Sequence, residues 1–141
     1  RVMYARYRGK TTCPDCRGTR LRRDTAFVKT EGKNIQDLLL SSIKESKAFF
    51  DQLTLDPHRE KIARRILLEI NTRLQFMMDV GLGYLSLNRM SNTLSGGETQ
   101  RINLTRSLGS NLSNSMYILD EPSVGLHPRD TLRLIKVLKR F

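Results

Sequence analysis

The chain has 141 residues, 38% of them hydrophobic, with a mean hydropathy of −0.43 and a formal net charge of +11. This composition supports a packed core and excludes wholesale disorder, and no apolar run approaches the roughly 20 residues that a membrane-crossing helix needs. The length suits one modest domain or a piece of a larger one, and Arg1 in place of Met, with no signal-peptide pattern after it, leads us to expect an excised segment. Two cysteines are too few for a secreted disulfide scaffold, which points to a reducing, cytoplasmic setting.

Charge is concentrated at the start. Residues 1–30 carry nine Lys and Arg against Asp15 and Asp24, or +7 of the +11. Such a segment suits an anionic partner, nucleic acid or a phosphorylated ligand, although a plain solvated basic surface has the same composition. Within it, "CPDCRG" places Cys13 and Cys16 at C-x-x-C spacing, with Gly18 allowing a tight return. Three readings stand for this pair: half of a zinc site, free structural thiols, or a redox pair. The last lacks a surrounding βαβ pattern.

"AFVKT" at 26–30 predicts a short strand and "EGKN" a turn. Ile35 to Leu53 is helical in pattern, with a break near Ser41 and a capping box from Ser42 to Glu45. Pro57 opens a long helix in which Ile62, Ile66, Ile70, Leu74 and Met77 form one apolar stripe, and Gly81 and Gly83 end it. Met77 and Met78 suit core filling better than ligation. "GYLSLNRMSNT" connects to a helix expected from Ser95 to about Ser107. "MYILD" predicts a short buried strand, and the tail from Arg129 an amphipathic helix with Leu132, Ile135 and Leu138 inside.

"LSGGETQR", residues 94–101, raises a physical question, because two adjacent glycines each cost a helix roughly 1 kcal/mol relative to alanine. Ser95 and Glu98 have the spacing of a capping box, which makes Gly96 and Gly97 the first helical residues. Their N–H groups lack partners inside the helix and stand at the positive end of its dipole, where an anion can approach bare glycine backbone. An ordinary capped helix start has the same tetrad. "MYILDEP" ends an apolar run in Asp120 and Glu121, the pair that in a Walker B arrangement holds Mg²⁺ and orients a water; a strand ending in an acidic turn is the plainer reading. A Walker A loop, G-x-x-x-x-G-K-[ST], is missing: "RGKT" has Tyr4 and "EGKN" has Phe27 where the first glycine belongs.

Together, "CPDCRGTRLR", "VGLGYLSLNR", "LSGGETQRINL" and "LDEPSVGLHPRD" resemble the UvrA family, ABC-superfamily ATPases of bacterial nucleotide excision repair, over essentially the whole chain. "GTRLR", "YLSLNR" and "PSVGLHPRD" are similar to the N-terminal of that family's two ABC modules. The resemblance implies that Ser95, Gly96, Gly97 and Glu98 touch the γ-phosphate of ATP held by the opposite module, and it places Gln100 and His127 with the ATP and Mg²⁺ ligands. It implies that Asp120 supports Mg²⁺, that Glu121 is the catalytic carboxylate, and that Ser123 to His127 cross between modules. Cys13 and Cys16 would be one pair of a zinc (Zn²⁺) module whose other pair lies upstream, while the Walker A loop and a histidine-bearing switch lie outside Arg1–Phe141. Damaged double-stranded DNA, the excinuclease component UvrB and a second copy in a homodimer are the implied partners, with no membrane.

The expected fold is α/β: a basic C-x-x-C knuckle segment at 1–30, a helical signature subdomain at 31–94, and at 95–141 the signature helix with a Walker B strand from a P-loop-type core. The expected function is that of a fragment contributing signature and Walker B elements to composite ATP sites and inactive alone. The competing readings are a UvrA-like paralogue serving drug self-resistance and a non-catalytic zinc-knuckle module that binds nucleic acid.

Overall fold

The computed structural model describes residues 11–108, 116, 118–123 and 126–139. Its first elements are set by turn chemistry. A 3₁₀ turn, Arg23–Ala26, leads into a hairpin of β1 (Lys29–Thr30) and β2 (Lys33–Asn34), with Lys29 opposite Asn34 and Thr30 opposite Lys33. Glu31 and Gly32 both have positive φ, 47° and 78°. A two-residue loop of that kind matches the twist of antiparallel strands. The strand predicted from Ala26 is therefore shorter, because Ala26 belongs to the 3₁₀ turn.

Side-chain caps then divide the helices. Asn34 and Asp37 bond reciprocally at the start of α1 (Ile35–Leu40), and Ser42 and Glu45 do the same for α2 (Ile43–Gln52). The break predicted near Ser41 lies between these two caps. Asp56 caps α3 (Pro57–Asp79), with Pro57 in the first turn, where its missing N–H costs nothing. With 23 residues, α3 is roughly 34 Å long. It stops at Gly81, whose φ of +79° suits glycine alone, and an added Cβ there would also crowd Asp130 and Arg101 at 3.2 and 3.3 Å. Two more helices follow, α4 (Gly96–Leu108) and α5 (Pro128–Leu138).

The core forms around the irregular segment after α3. Val80, Leu82 and Leu85 are buried with Ile43 of α2, Leu74 of α3, Leu104 of α4 and Leu134 of α5, and Leu82 is wholly inaccessible. Backbone bonds pin this segment to the start of α2: Ile43 N–H donates to the Leu85 carbonyl at 2.8 Å and Lys44 N–H to that of Gly83 at 3.0 Å. Ser46, also fully buried, is satisfied by Ser41 and by the Leu38 carbonyl.

Three expectations require correction. The α3 stripe is buried only toward its C-terminal end, since Ile62 and Ile66 are 67% and 61% exposed while Leu74 is in the core. On α5 the inward residues are Leu134 and Val137, with Leu138 partly buried, whereas Leu132 and Ile135 face outward. Spacing supports two overlapping apolar faces on this helix, and contact with Val80, Leu82 and Leu104 selects one. Finally, Met116, Ile118 and Leu119 are not in a strand, and Ile118 is 84% exposed. A strand needs a neighbour for its backbone, and among the described residues the hairpin is the one sheet. The described chain is mainly helical, as expected for the segment before the signature helix, with one small two-stranded sheet, and the expected Walker B strand is not among its described elements.

Leu82→Ala should lower stability by about 2–5 kcal/mol, while Ile62→Ala should change it by less than about 0.5 kcal/mol. Urea unfolding followed by circular dichroism measures both.

Candidate functional site at the signature helix

The N-terminus of α4 is built by the predicted capping box. Ser95 N–H donates to Glu98 Oε2 at 2.7 Å, and Glu98 N–H donates to Ser95 Oγ at 3.2 Å. Glu98 is buried, and its carboxylate has two further partners. Tyr84 Oη donates to Oε1 at 2.5 Å, and the Arg89 guanidinium lies 3.9 Å from Oε2. The Tyr84 hydroxyl foremost, then the Ser95 N–H, hold the Glu98 carboxyl below the usual carboxylate range, and the same bond raises the Tyr84 phenol. Arg89 also braces the 3₁₀ turn Ser91–Thr93, donating to the Thr93 carbonyl at 2.9 Å.

Ser95 and Gly96 are exposed in front of this cap. A Cβ placed on Gly96 would meet nothing within 4 Å, so no neighbour among the described residues demands glycine there. Gly97 is half-buried; its carbonyl accepts from Arg101 Nε at 3.2 Å, and Arg101 Nη1 reaches the Val80 carbonyl at 3.3 Å. The helix start is thus fastened to the core behind it and open in front.

The second motif adjoins the first. Gln100 Nε2 donates to the carbonyls of Asp120 and Glu121 at 3.3 and 3.2 Å. A cleft of about 220 Å³ lies between Gln100, Asn103 and Leu104 on α4 and Leu119, Asp120 and Pro122. Asp120 and Glu121 are exposed, and Glu121 has φ +41°. His127 stands at the entrance to α5, its carbonyl accepting from Asp130 and Thr131 N–H at 2.8 and 3.1 Å. Of the segment from Ser123 to His127, residues 124 and 125 lie outside the described residues.

Cys13 and Cys16 form a separate turn, with Arg17 N–H donating to the Cys13 carbonyl at 2.9 Å and Thr19 N–H to that of Cys16 at 2.8 Å. Gly18 has φ +85°, the return that its position predicts. Backbone N–H groups of Arg20 and Gly18 lower the Cys16 thiol below its ordinary range. This donor pair fits half of a tetrahedral site. Among the described residues no three His, Cys, Asp or Glu side chains are grouped to hold a metal. The basic residues Arg1 to Lys10 lie outside the described residues.

The turn is docked on the segment before α4 by Asn88. Asn88 Nδ2 donates to the Gly18 carbonyl at 2.7 Å, and Arg20 Nη2 donates to the Asn88 carbonyl and Oδ1 at 3.0 and 3.1 Å. Tyr84, Asn88 and Arg89 lie in "GYLSLNRMSNT", which pattern alone reads as a connector. A tyrosine, an asparagine and an arginine shortly before a capping box were the available signal.

No protein-family model matches the chain. It is 51% identical over all 141 residues to UvrABC system protein A of Methanothermobacter thermautotrophicus, and 54% identical over 131 residues, 92% of the chain, to that of Thermus thermophilus. The chain belongs to the UvrA family. It spans 15% and 14% of the length of these two UvrA relatives. The solved structure of UvrA2 from Deinococcus radiodurans superposes with a TM-score of 0.69 at 39% identity, covering 91% of this chain and 14% of that one.

The lowered Glu98 carboxyl has a sign that can be tested. Its stabilising effect is present above the ordinary carboxyl value of 4.5 and is lost as pH falls from there through the lower folded value. Urea midpoints of the parent chain and of Glu98→Gln, measured against pH, should differ most near neutrality and converge in acid.

Proposed function

We propose that this chain contributes two half-sites to the composite ATP sites of a UvrA-type DNA-repair ATPase. Gly96 and Gly97 present backbone N–H groups, and Ser95 its hydroxyl, to the γ-phosphate of ATP bound by a facing module, while Glu98 takes the Ser95 N–H and caps the helix that carries them. Asp120 and Glu121 serve the other composite site, Glu121 by orienting the attacking water. The observation that carries this reading is the bond from Gln100 to the Asp120 and Glu121 carbonyls, which places the two motifs side by side. Open space at Gly96 supports it further, since an anion can use it and packing does not require it.

Mg²⁺, held through Asp120, would neutralise phosphate charge. His127, at the start of α5, is assigned to the same site by the family pattern. Cys13 and Cys16 would supply two of four Zn²⁺ ligands, which gives the pair a structural rather than a catalytic task. The basic segment at 1–30 suits the phosphates of damaged double-stranded DNA. Partnership with UvrB, a homodimer and a cytoplasmic location belong to the same proposal, supported by family membership. Identities of 51% and 54% to proteins named UvrABC system protein A support the repair role.

In a full-length UvrA protein carrying these residues, Glu121→Gln and Gly97→Asp should each lower ATP turnover by roughly 10²–10³, with nucleotide binding retained. Near-normal turnover by well-folded variants would overturn the assignment. The isolated 141-residue chain, without a phosphate loop, should hydrolyse ATP no faster than buffer. Its affinity for duplex DNA should fall at least about tenfold between roughly 50 and 200 mM salt, as read by fluorescence anisotropy; a salt-independent affinity would remove the phosphate contacts.

A further inference from the structure

We propose that Gln100 is a positioning residue for Glu121, holding the main chain of that carboxylate in the conformation the reaction uses. The inference rests on the proposed role of Glu121 and adds the device that aims it. Glu121 has φ +41°, a region that residues other than glycine seldom occupy and that persists only where the surroundings enforce it. Glycine would adopt it without penalty, yet a carboxylate stands here. Something must hold the turn, and Gln100 Nε2 is in place to do so, 3.3 Å from the Asp120 carbonyl and 3.2 Å from that of Glu121.

The geometry is specific. In extended chain, successive carbonyls point to opposite sides, so one donor cannot serve both. They point the same way only where the chain turns, as it does at Glu121. A side-chain amide that bonds both carbonyls therefore favours the turned conformation over an extended one. Gln100 itself is fixed, because it lies on α4 one helical turn from Gly96 and three residues from Gly97, behind a cap closed by Glu98, Tyr84 and Arg89. Asn103 and Leu104 line the same cleft and supply its packing. The amide of Gln100 adds what they cannot, a donor placed against both carbonyls.

A packing role and a positioning role separate in the kinetics of a full-length UvrA protein. In Gln100→Ala the donor and the side-chain volume both go. In Gln100→Glu the shape stays, but an acceptor now faces two carbonyls. Both variants should lose about 10- to 100-fold in kcat, with KM for ATP unchanged within about twofold and an unaltered thermal midpoint. Gln100→Glu with normal kcat would overturn the proposal, because shape alone would then suffice. A KM that rises as kcat falls would also overturn it, by placing the damage in α4 and its phosphate-facing end. Glu121→Gln run alongside separates the two levels of inference. Turnover retained in that variant would remove Glu121 from the chemistry, whereas turnover lost there and kept in both Gln100 variants would sink the positioning role alone.

Discussion

A buried carboxylate organises this chain. Removing Glu98 from water is tolerable only because donors surround it: the Ser95 N–H, the Tyr84 hydroxyl and the Arg89 guanidinium. Two of those partners come from the segment before the helix, so the native position of α4 is tied to the segment from Tyr84 to Arg89. That segment follows the core residues Val80 and Leu82 and includes Leu85, all of which sit against α2 and α3. A neighbouring side chain, Asn88, binds the cysteine turn, and its N–H reaches back to Leu39 of α1. Local capping chemistry thus becomes a tertiary constraint.

The same arrangement explains why the helix N-terminus remains available. A cap normally uses up the positive end of a helix, but here the carboxylate lies on the protein side. Ser95 and Gly96 stay exposed on the other. Glu98 satisfies the Ser95 N–H from behind and leaves the start of the helix open in front. Polar groups buried in a network and polar groups left open occupy opposite faces of a single turn.

What the sequence made legible was chiefly local. The Ser42–Glu45 and Ser95–Glu98 boxes, the break near Ser41, the start of α3 at Pro57 and its end at Gly81 all depend on residues within four positions of one another. The reciprocal Asn34–Asp37 cap obeys the same rule and could have been read as well. Features that require a partner far along the chain were read wrongly or not at all. "MYILD" has the composition of a strand, but pairing, which composition cannot supply, decides whether it becomes one. Leu132, Leu134, Ile135 and Val137 are equally apolar, and the choice among them belongs to what α5 packs against. Tyr84 and Asn88 act across 14 and 70 residues, respectively, and nothing periodic marks them. Of the site, the residue types were evident; the bond from Gln100 to the Asp120 and Glu121 backbone was not.

Helix α3 is anchored unevenly. Its last turns carry Ile70, Leu74, Met77 and Met78 against the core, while its first half presents Ile62, Ile66 and Leu68 to solvent. Opening free energy follows buried contacts rather than helical propensity. Amide hydrogens near Ile62 are therefore expected to exchange through local fraying, and those near Leu74 through cooperative unfolding of the core. A single unbroken helix behaves as two energetic units, with the boundary near Ile70. The first of them contributes no residue to the buried cluster that includes Leu104 of α4.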